Sequence, residues 1–334
     1  MNSIAILLTA VVGLAVTGLL GFVLIPWLKR LKYGQTIKDI GPVWHQSKQG
    51  TPTMGGLMFI IGTLAALAAG YVALSLEKPD FLTEPYVVRL FAGLVMALAF
   101  GAMGFLDDYI KIKQTRNLGL RARYKILIQV IVSAAYLYVM TAFGGADTVV
   151  ALPFLGSHDF GIWYYVISMI FIVGMVNSVN LTDGLDGLAS TVTFFVSAGM
   201  IIIATLLGTL GSSLFATAIA ASCIGFILWN FYPAKVFMGD TGSMFLGGAV
   251  VAMAYGMSIP ALLIPAGIVY LMESGSVMLQ VGYYKVSRGK RLFKMSPIHH
   301  HFEMCGLSEV KIVVLFSAIT VVGVALTVWA AALI

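Results

Sequence analysis

Two adjacent aspartates mark the point where a long apolar stretch of the sequence ends. The run from Val87 to Leu106 is followed directly by Asp107 and Asp108, within the segment G-F-L-D-D-Y at Gly104–Tyr109. A cluster of cations comes next: Lys111, Lys113, Arg116, Arg121, Arg123 and Lys125. Mg²⁺ is typically held by one or two carboxylates together with phosphate oxygens and waters. The pattern therefore indicates a magnesium site that also meets phosphate, although a solvated helix end with basic flanks has the same local pattern.

A second polar cluster lies on a turn between two apolar runs, in N-L-T-D-G-L-D-G at Asn180–Gly187. The turn contains no Lys or Arg, and its glycines allow the backbone to approach a ligand closely. Asp186 or Ser190 is alternatively a plain N-cap for the next helix. The candidate binding residues here are Asn180, Asp183, Gly184 and Asp186.

A third carboxylate stands in F-M-G-D-T-G-S at Phe237–Ser243, shortly after Asn230 closes the seventh apolar run. Asp240 precedes a predicted helix, whose N-terminal amides favour anions. Phe237 is an aromatic residue in a polar loop, so it suits either stacking on a base or a position at the lipid interface. The segment adds a candidate metal ligand and a candidate base-binding residue.

Three consecutive histidines, His299, His300 and His301, lie in P-I-H-H-H-F-E at Pro297–Glu303. Adjacent side chains cannot all face one way, and the sequence lacks the thiolates or helically spaced histidines of a zinc site. With basic neighbours, these imidazoles are suited to phosphate or sugar contacts, or to proton transfer near neutral pH.

The segment that leads into the second apolar run holds Lys48, followed by G-T-P-T-M-G-G at Gly50–Gly56. Thr51 or Thr53 is expected to cap the helix, with Pro52 near its first turn. Lys48 beside a helix N-terminus is also suited to holding phosphate.

The composition is that of an integral membrane protein. Of 334 residues, 60% are hydrophobic and only 10% are charged, whereas soluble domains carry roughly 25% charged residues. Runs of about 20 apolar residues, the length of a bilayer-spanning helix, recur throughout. They predict an all-α polytopic fold of about ten transmembrane helices in one domain, 1–334, with the first run retained and not cleaved as a signal peptide. The expected spans are 3–28, 53–75, 87–106, 124–143, 161–179, 188–208, 212–230, 242–258, 260–284 and 310–333.

Orientation follows from the positions of Lys and Arg, which concentrate in cytoplasmic loops. The first loop holds Lys29, Arg30, Lys32, Lys38 and Lys48, and the loop after the ninth span holds Lys285, Arg288, Lys290, Arg291 and Lys294. Alternate loops are nearly free of cations, with Glu77, Lys78, Asp80 and Glu84 in one and Asp147 and Asp159 in another. Both termini are therefore expected outside, with the polar clusters at the cytoplasmic rim.

Two irregular features are predicted. Pro260, Pro265 and Gly267 should break the ninth helix, which also contains Glu273 within its apolar run. An acidic residue inside a span is functional by default, although a hydrogen bond to the backbone freed by the break is an alternative. The segment 147–161 is short and β-branched, and predicts a small external hairpin in which His158 is structural.

Taken together, D-D-Y at Asp107–Tyr109, N-L-T-D-G-L-D-G, F-M-G-D-T-G-S and P-I-H-H-H-F-E resemble the phospho-N-acetylmuramoyl-pentapeptide transferase family. This family belongs to the polyprenyl-phosphate N-acetylhexosamine-1-phosphate transferase superfamily, and the resemblance covers essentially the whole chain. The aspartate motifs are shared across the superfamily, whereas the triple histidine is specific to the muramoyl-pentapeptide branch.

The resemblance implies Mg²⁺-dependent transfer from UDP-N-acetylmuramoyl-pentapeptide to undecaprenyl phosphate, which gives lipid I and UMP on the cytoplasmic face of a bacterial inner membrane. It implies Asp240 as the magnesium ligand, alone or together with Asp107 and Asp108. It further implies Asp107 as the base or polariser of the lipid phosphate, Asp108 as a support of the site, and Phe237 stacked on uracil. It also implies a homodimer, and no nucleic acid is among the expected partners. The residues assigned to catalysis are Asp107, Asp108, Asp240 and His300. Those assigned to substrate binding are Lys48, Thr53, Lys125, Asn180, Asp183, Gly184, Asp186, Asn230, Phe237, His299 and His301.

Two other functions fit parts of the pattern. A sister transferase that uses UDP-N-acetylglucosamine would share the aspartate motifs. A membrane carrier would place its polar residues near the bilayer midplane on broken helices, and only Glu273 suits that arrangement.

Overall fold

The computed structural model describes residues 3–31, 48, 50–78, 85–113 and 119–333. Several of the charged residues named above lie outside these described ranges: Lys32, Lys38, Asp80, Glu84 and Arg116. Every residue assigned to catalysis or substrate binding lies within them.

The described chain is predominantly helical, with one small sheet. The helices are α1 (Ser3–Arg30), α2 (Gly56–Glu77), α3 (Pro85–Lys113), α4 (Ala122–Ala142), α5 (Ile162–Thr182), α6 (Leu188–Leu206), α7 (Leu210–Asn230), α8 (Gly239–Gly256), α9 (Leu263–Ala266), α10 (Ile268–Val286), α11 (Ile298–Met304) and α12 (Glu309–Ala331). A 3₁₀ turn at Pro260–Leu262 precedes α9.

The described helices confirm a polytopic membrane protein. Eight of them are long and apolar enough to cross a bilayer, and the bent pair α9–α10 makes a ninth candidate span. The predicted eighth span is α8, an 18-residue helix that is buried along almost its whole length. Its first turn, Gly239–Ser243, is polar. The polar first turn explains why α8 is not among the eight helices that are apolar enough to be counted as spans.

Both predicted irregularities are present. Pro260–Ala266 meets α10 at an angle of 79° across Gly267. Proline at 260 and 265 cannot donate a backbone hydrogen bond, so the helical ladder stops there. The hairpin pairs β1 (Val149–Leu152) with β2 (Gly156–Asp159) in antiparallel register, Val149 opposite Asp159.

The prediction of a threonine cap on α2 is wrong. The helix begins at Gly56 after Gly55, and no side chain caps it. Its first free amides are satisfied by another loop, because the N–H groups of Gly55 and Gly56 donate to the carbonyls of Phe237 and Met238 at 2.8 and 3.0 Å. Since a helix leaves its first amides without intrahelical partners, this pairing ties the start of α2 to the start of α8.

Helices α3 and α8 form the centre of the bundle. They approach closely through small residues: a Cβ atom on Gly104 would overlap the carbonyl of Asp240, and one on Gly248 would lie 2.8 Å from Cα of Ala97. Small residues permit such close approach between membrane helices. The contact brings the carboxylate-bearing end of α3 against the first turn of α8.

At the other end of the bundle, the buried Arg89 donates to the carbonyls of Gly144 and Gly145, beyond the C-terminus of α4.

Candidate functional site

Three aspartates from α3 and α8 converge at one end of the bundle. Asp107, Asp108 and Asp240 each place a carboxylate oxygen within 4.8 Å of the others. Asp107 and Asp108 are buried, and the side chain of Asp240 is 18% exposed. Hard cations such as Mg²⁺ prefer carboxylate oxygens, so this donor set fits the metal that the sequence motifs predict.

Two lysines lie directly on this three-aspartate cluster. Lys111 Nζ lies 2.6 Å from Asp107 Oδ2 and 3.1 Å from Asp240 Oδ2. Lys125 Nζ, from α4, lies 3.0 Å from each of the same two oxygens. Asp107 also accepts the backbone N–H of Leu120 at 2.6 Å. Two ammonium groups against three carboxylates leave the cluster net negative, which favours a divalent cation.

Asp108 is held differently from Asp107. Its carboxylate accepts the backbone N–H of Asp240 at 3.2 Å and both the N–H and the hydroxyl of Thr241 at 2.9 and 2.7 Å. The N-terminal amides of a helix favour negative charge. Asp108 on α3 therefore caps α8, the helix that carries Asp240.

Asn180 completes the surroundings of Asp240 from α5. Its Nδ2 donates to Asp240 Oδ1 at 3.1 Å and to the Ser243 hydroxyl at 2.7 Å. One turn earlier, Asn177 Nδ2 donates to Gln129 Oε1 on α4 at 2.8 Å. Because Lys125 lies one turn before Gln129, this amide pair fixes the separation of the two helices that contact Asp240.

Lys48 joins the turn after α5 to the start of α12. Its ammonium group lies 2.7 Å from both Asp186 Oδ1 and Glu309 Oε2, and all three side chains are largely buried. Asp186 Oδ2 accepts the N–H of Ala234 at 2.9 Å. Burial alone would lower the pKa of Lys48, but the hydrogen bonds and charges of Asp186 and Glu309 raise it above its usual value. The lysine is therefore protonated at neutral pH. Through Asp186 and Glu309 it connects its own segment to the turn after α5, to the loop that contains Ala234 and to the start of α12.

Asn230 connects the same turn to the loop before α8. Its Oδ1 accepts the N–H of Gly187 at 3.1 Å, and its Nδ2 donates to the carbonyl of Val236 at 2.9 Å. Phe237 follows Val236 with a half-buried ring, and its N–H donates to the carbonyl of Pro52 at 2.8 Å. Thr53, next to Pro52, lies against Gly239. These contacts place Phe237 in a loop that is fixed at both ends.

Asp183 follows α5 directly and lies in an acidic environment. Burial first, and then the negative charges of Asp240, Asp108 and Asp186, raise its pKa well above the usual value for a carboxyl group. The side chain is half-buried. An incoming cation or hydrogen-bond donor would relieve this unfavourable charge, so Asp183 is suited to contact a ligand.

The three histidines face different partners, as predicted. His299 Nδ1 lies 2.9 Å from Glu273 Oε2, and both side chains are buried. His300 Nδ1 lies 2.6 Å from Glu303 Oε2 within α11. His301 accepts the N–H of Lys294 at Nδ1 and packs against the ring of Phe293.

The structure thus brings together the residues of the aspartate motifs with Lys125 and Asn180. Lys48, Asp186 and Asn230 form a second cluster that joins the surrounding loops. The sequence analysis missed Gln129 and Glu309, which no motif marks. It also left the role of Glu273 open, and the hydrogen bond to His299 now gives this residue a partner other than the freed backbone.

The described helices form a membrane bundle with carboxylates and lysines gathered at one end, an arrangement suited to the transfer of a phosphorylated group. Residues 90–258 match the model of glycosyl transferase family 4. Residues 48–60 match signature 1 of the phospho-N-acetylmuramoyl-pentapeptide-transferases.

Curated proteins of that name are similar over nearly the whole chain. The protein from Clostridioides difficile (strain 630) is 44% identical over 320 residues, which cover 94% of each chain. The protein from Desulforamulus reducens is 45% identical over 317 residues, 94% of this chain and 92% of its own. The chain belongs to the phospho-N-acetylmuramoyl-pentapeptide-transferase family and is a transferase.

Proposed function

We propose that the protein transfers phospho-N-acetylmuramoyl-pentapeptide from its UDP donor to undecaprenyl phosphate, with release of UMP and formation of lipid I. The observation that supports this function best is the three-aspartate cluster with Lys111 and Lys125, in a chain of this family. Phosphoryl transfer depends mainly on positioning and on neutralising charge. The cluster offers both, at the end of a bundle where a lipid substrate has access.

Mg²⁺ would be held by Asp240 together with Asp107 and Asp108, and would neutralise charge on the diphosphate of the donor. Lys111 and Lys125 supply cations to the phosphate oxygens. Asp107 aligns the phosphate of the lipid acceptor. This acceptor is a phosphate monoester whose second pKa is about 6, so most of it is already dianionic at neutral pH.

The donor nucleotide is assigned to the side of the site formed by Asp183, Gly184 and Phe237. The Phe237 ring stacks on uracil, a contact worth roughly 1–3 kcal/mol in nucleic-acid proteins. Asp186, Asn230 and Lys48 hold the loops that shape this pocket, since their polar groups already have partners within the chain. His300 and His301 contribute polar contacts from α11, and Thr53 contributes one beside the start of α8.

The protein is further assigned to the inner membrane as one integral domain, with the three-aspartate cluster on the cytoplasmic face and with a homodimer as the working form. We assign the polyprenyl chain to the side of the bundle where α9 and α10 meet at the 79° bend. The carrier alternative rested on Glu273 alone, and the similarity to transferases over nearly the whole chain speaks against it.

The test is synthesis of lipid I by the purified protein in detergent, with UDP-N-acetylmuramoyl-pentapeptide and undecaprenyl phosphate, with and without Mg²⁺. Product should form only with the metal, and excess UDP-N-acetylglucosamine should not compete. Asp240→Asn should abolish nearly all turnover, whereas Asp147→Asn, in the segment before the hairpin, should not. Product made from UDP-N-acetylglucosamine instead would favour the sister transferase.

A further inference from the structure

A buried carboxylate–imidazole pair connects the broken ninth helix to the histidine motif. Glu273 on α10 and His299 on α11 have side chains that are 0% and 1% exposed, and their Oε2 and Nδ1 atoms lie 2.9 Å apart. An ionised carboxylate only accepts hydrogen bonds. With Glu273 ionised, the shared proton therefore belongs to Nδ1 of His299, which sets both the tautomer and the orientation of the ring.

The other polar atoms of this pair are buried without partners. Within the described part of the chain, neither His299 Nε2 nor Glu273 Oε1 has a hydrogen-bond partner. Leaving a buried polar group without a partner costs the hydration energy that the group loses on burial. Most buried polar atoms in proteins are satisfied, and the exceptions call for an explanation such as a catalytic role.

The unpartnered nitrogen faces the turn that carries the aspartates of the nucleotide side. A Cβ atom built on Gly184 would overlap Nε2 of His299 and would lie close to Cε1 of the same ring. The absence of a side chain at Gly184 is therefore what lets the imidazole reach this turn. Nε2 itself is buried, whereas Asp183 and Gly184 are half-buried, so Nε2 lies directly beneath the turn that borders the proposed donor pocket.

We propose that Glu273 is a positioning residue: its carboxylate holds His299 with the proton on Nδ1, so that Nε2 accepts a hydrogen bond from an O–H or N–H group of the bound nucleotide sugar. This role rests on the proposed function, because the ligand is the UDP donor. The geometry resembles other sites in which a carboxylate fixes the tautomer of a functional histidine. It also explains why an acidic side chain is retained inside an apolar span.

The kinetic test is a double-mutant cycle with Glu273→Gln, His299→Gln and the combined variant. Glu273→Gln should lower kcat/KM for the UDP donor by about 10- to 100-fold, as is usual for partners that orient a histidine ligand, and leave KM for the lipid unchanged. In the His299→Gln background the same change should have little further effect. The matched control is Ser276→Ala, which removes a hydroxyl bonded to the carbonyl of Glu273 at 2.7 Å without touching the imidazole. It should behave as wild type.

A second readout does not depend on activity. In protein labelled with ¹⁵N-histidine, the His299 signal is identified by its loss in His299→Gln. Its nitrogen shifts should show Nδ1 protonated in the wild type, and a mixture of tautomers in Glu273→Leu, which removes the accepting oxygen that Glu273→Gln keeps.

A wild-type His299 protonated on Nε2 alone would overturn the proposal, as would additive losses in the double variant. If the wild-type protein makes no lipid product from the muramoyl donor, the proposed function fails, while the nitrogen shifts still decide the arrangement of the pair.

Discussion

Asp108 accepts two hydrogen bonds from Thr241, one from the backbone N–H at 2.9 Å and one from the hydroxyl at 2.7 Å. The carboxylate of one helix thus caps another, and Met238, which precedes α8, offers no capping side chain of its own. Asp240 lies one residue before Thr241. The position of the proposed metal ligand therefore depends on Asp108, in addition to any direct contact that Asp108 makes with the ion.

Two substitutions of Asp108 separate these roles. Asp108→Asn keeps an oxygen that accepts from Thr241, so thermal stability should be largely retained while turnover falls because the charge is lost. Asp108→Ala also removes the cap and should lose about 1–2 kcal/mol of stability, the usual cost of removing a helix cap. Melting temperature in detergent and the initial rate of lipid I formation measure the two effects. Equal melting temperatures for the two variants would argue against the capping role.

The ion pairs of Lys48 with Asp186 and Glu309 predict how the stability of the protein depends on pH. Lys48→Met leaves the buried Asp186 and Glu309 without a counter-charge, which should cost roughly 3–5 kcal/mol. Because the pKa of Lys48 is raised in the folded state, its contribution is fully present below its unfolded pKa of about 10.4 and is lost as pH rises through the folded value.

The difference in melting temperature between wild type and Lys48→Met should therefore be constant from neutral pH to about pH 9.5 and narrow only above it. The exposed Lys78, at the end of α2, provides the control Lys78→Met, which should melt with the wild type. A difference that already narrows between pH 7 and pH 9 would contradict the ion-pair assignment.

The features of the fold that could be predicted from the sequence are those with a local signal. Each apolar run predicts one helix, and Pro260, Pro265 and Gly267 predict the break between α9 and α10. Both signals are local in the sequence. The aspartates could be grouped because each of them lies next to an end of an apolar run, on the same predicted side of the membrane. These parts of the fold needed no knowledge of which helices pack together.

Contacts between distant segments could not be predicted. Lys48 and Glu309 are separated by 261 positions, and neither side chain carries a local sign of the other. The capping of α8 by Asp108 and the pairing of α2 with the loop before α8 depend on tertiary packing. That packing also overrode the local preference of Thr51 and Thr53 for a capping position.

Substitution of Asp183 should raise the melting temperature, whereas substitution of Lys48 should lower it. The pKa of Asp183 is raised in the folded state by burial and by neighbouring carboxylates, so the native protein loses stability as pH rises from the unfolded pKa of about 3.9 towards the folded value. Asp183→Asn cannot ionise and should melt above the wild type at pH 7 without divalent metal, with the difference vanishing below about pH 4. Its turnover should nevertheless fall.

The hairpin offers a control for this measurement. Hydrogen bonds from Thr148 and Gly161 lower the pKa of the exposed Asp159, so Asp159→Asn should melt slightly below the wild type at neutral pH and match it in acid. If Asp183→Asn instead follows the wild type at every pH, the acidic environment of Asp183 is not what the structure indicates.

The last prediction concerns the order of bond making. A covalent route would require an aspartate whose oxygens are available to attack the β-phosphorus of the donor. Asp107 is fully buried and its oxygens are engaged by Lys111, Lys125 and the N–H of Leu120. Asp108 caps α8, and Asp240 is assigned to the metal. The lipid phosphate is already a dianion, so a covalent step would add a barrier without removing one.

We therefore expect direct transfer with both substrates bound together. The measurement is exchange of radiolabelled UMP into the UDP donor by enzyme with Mg²⁺, after rigorous removal of co-purified polyprenyl phosphate. No label should enter the donor until undecaprenyl phosphate is added back, because UMP can return to the donor only by reversal of the complete reaction. Asp240→Asn should show no exchange with or without lipid. Exchange without lipid at a rate comparable to turnover would establish a covalent enzyme intermediate and refute direct transfer.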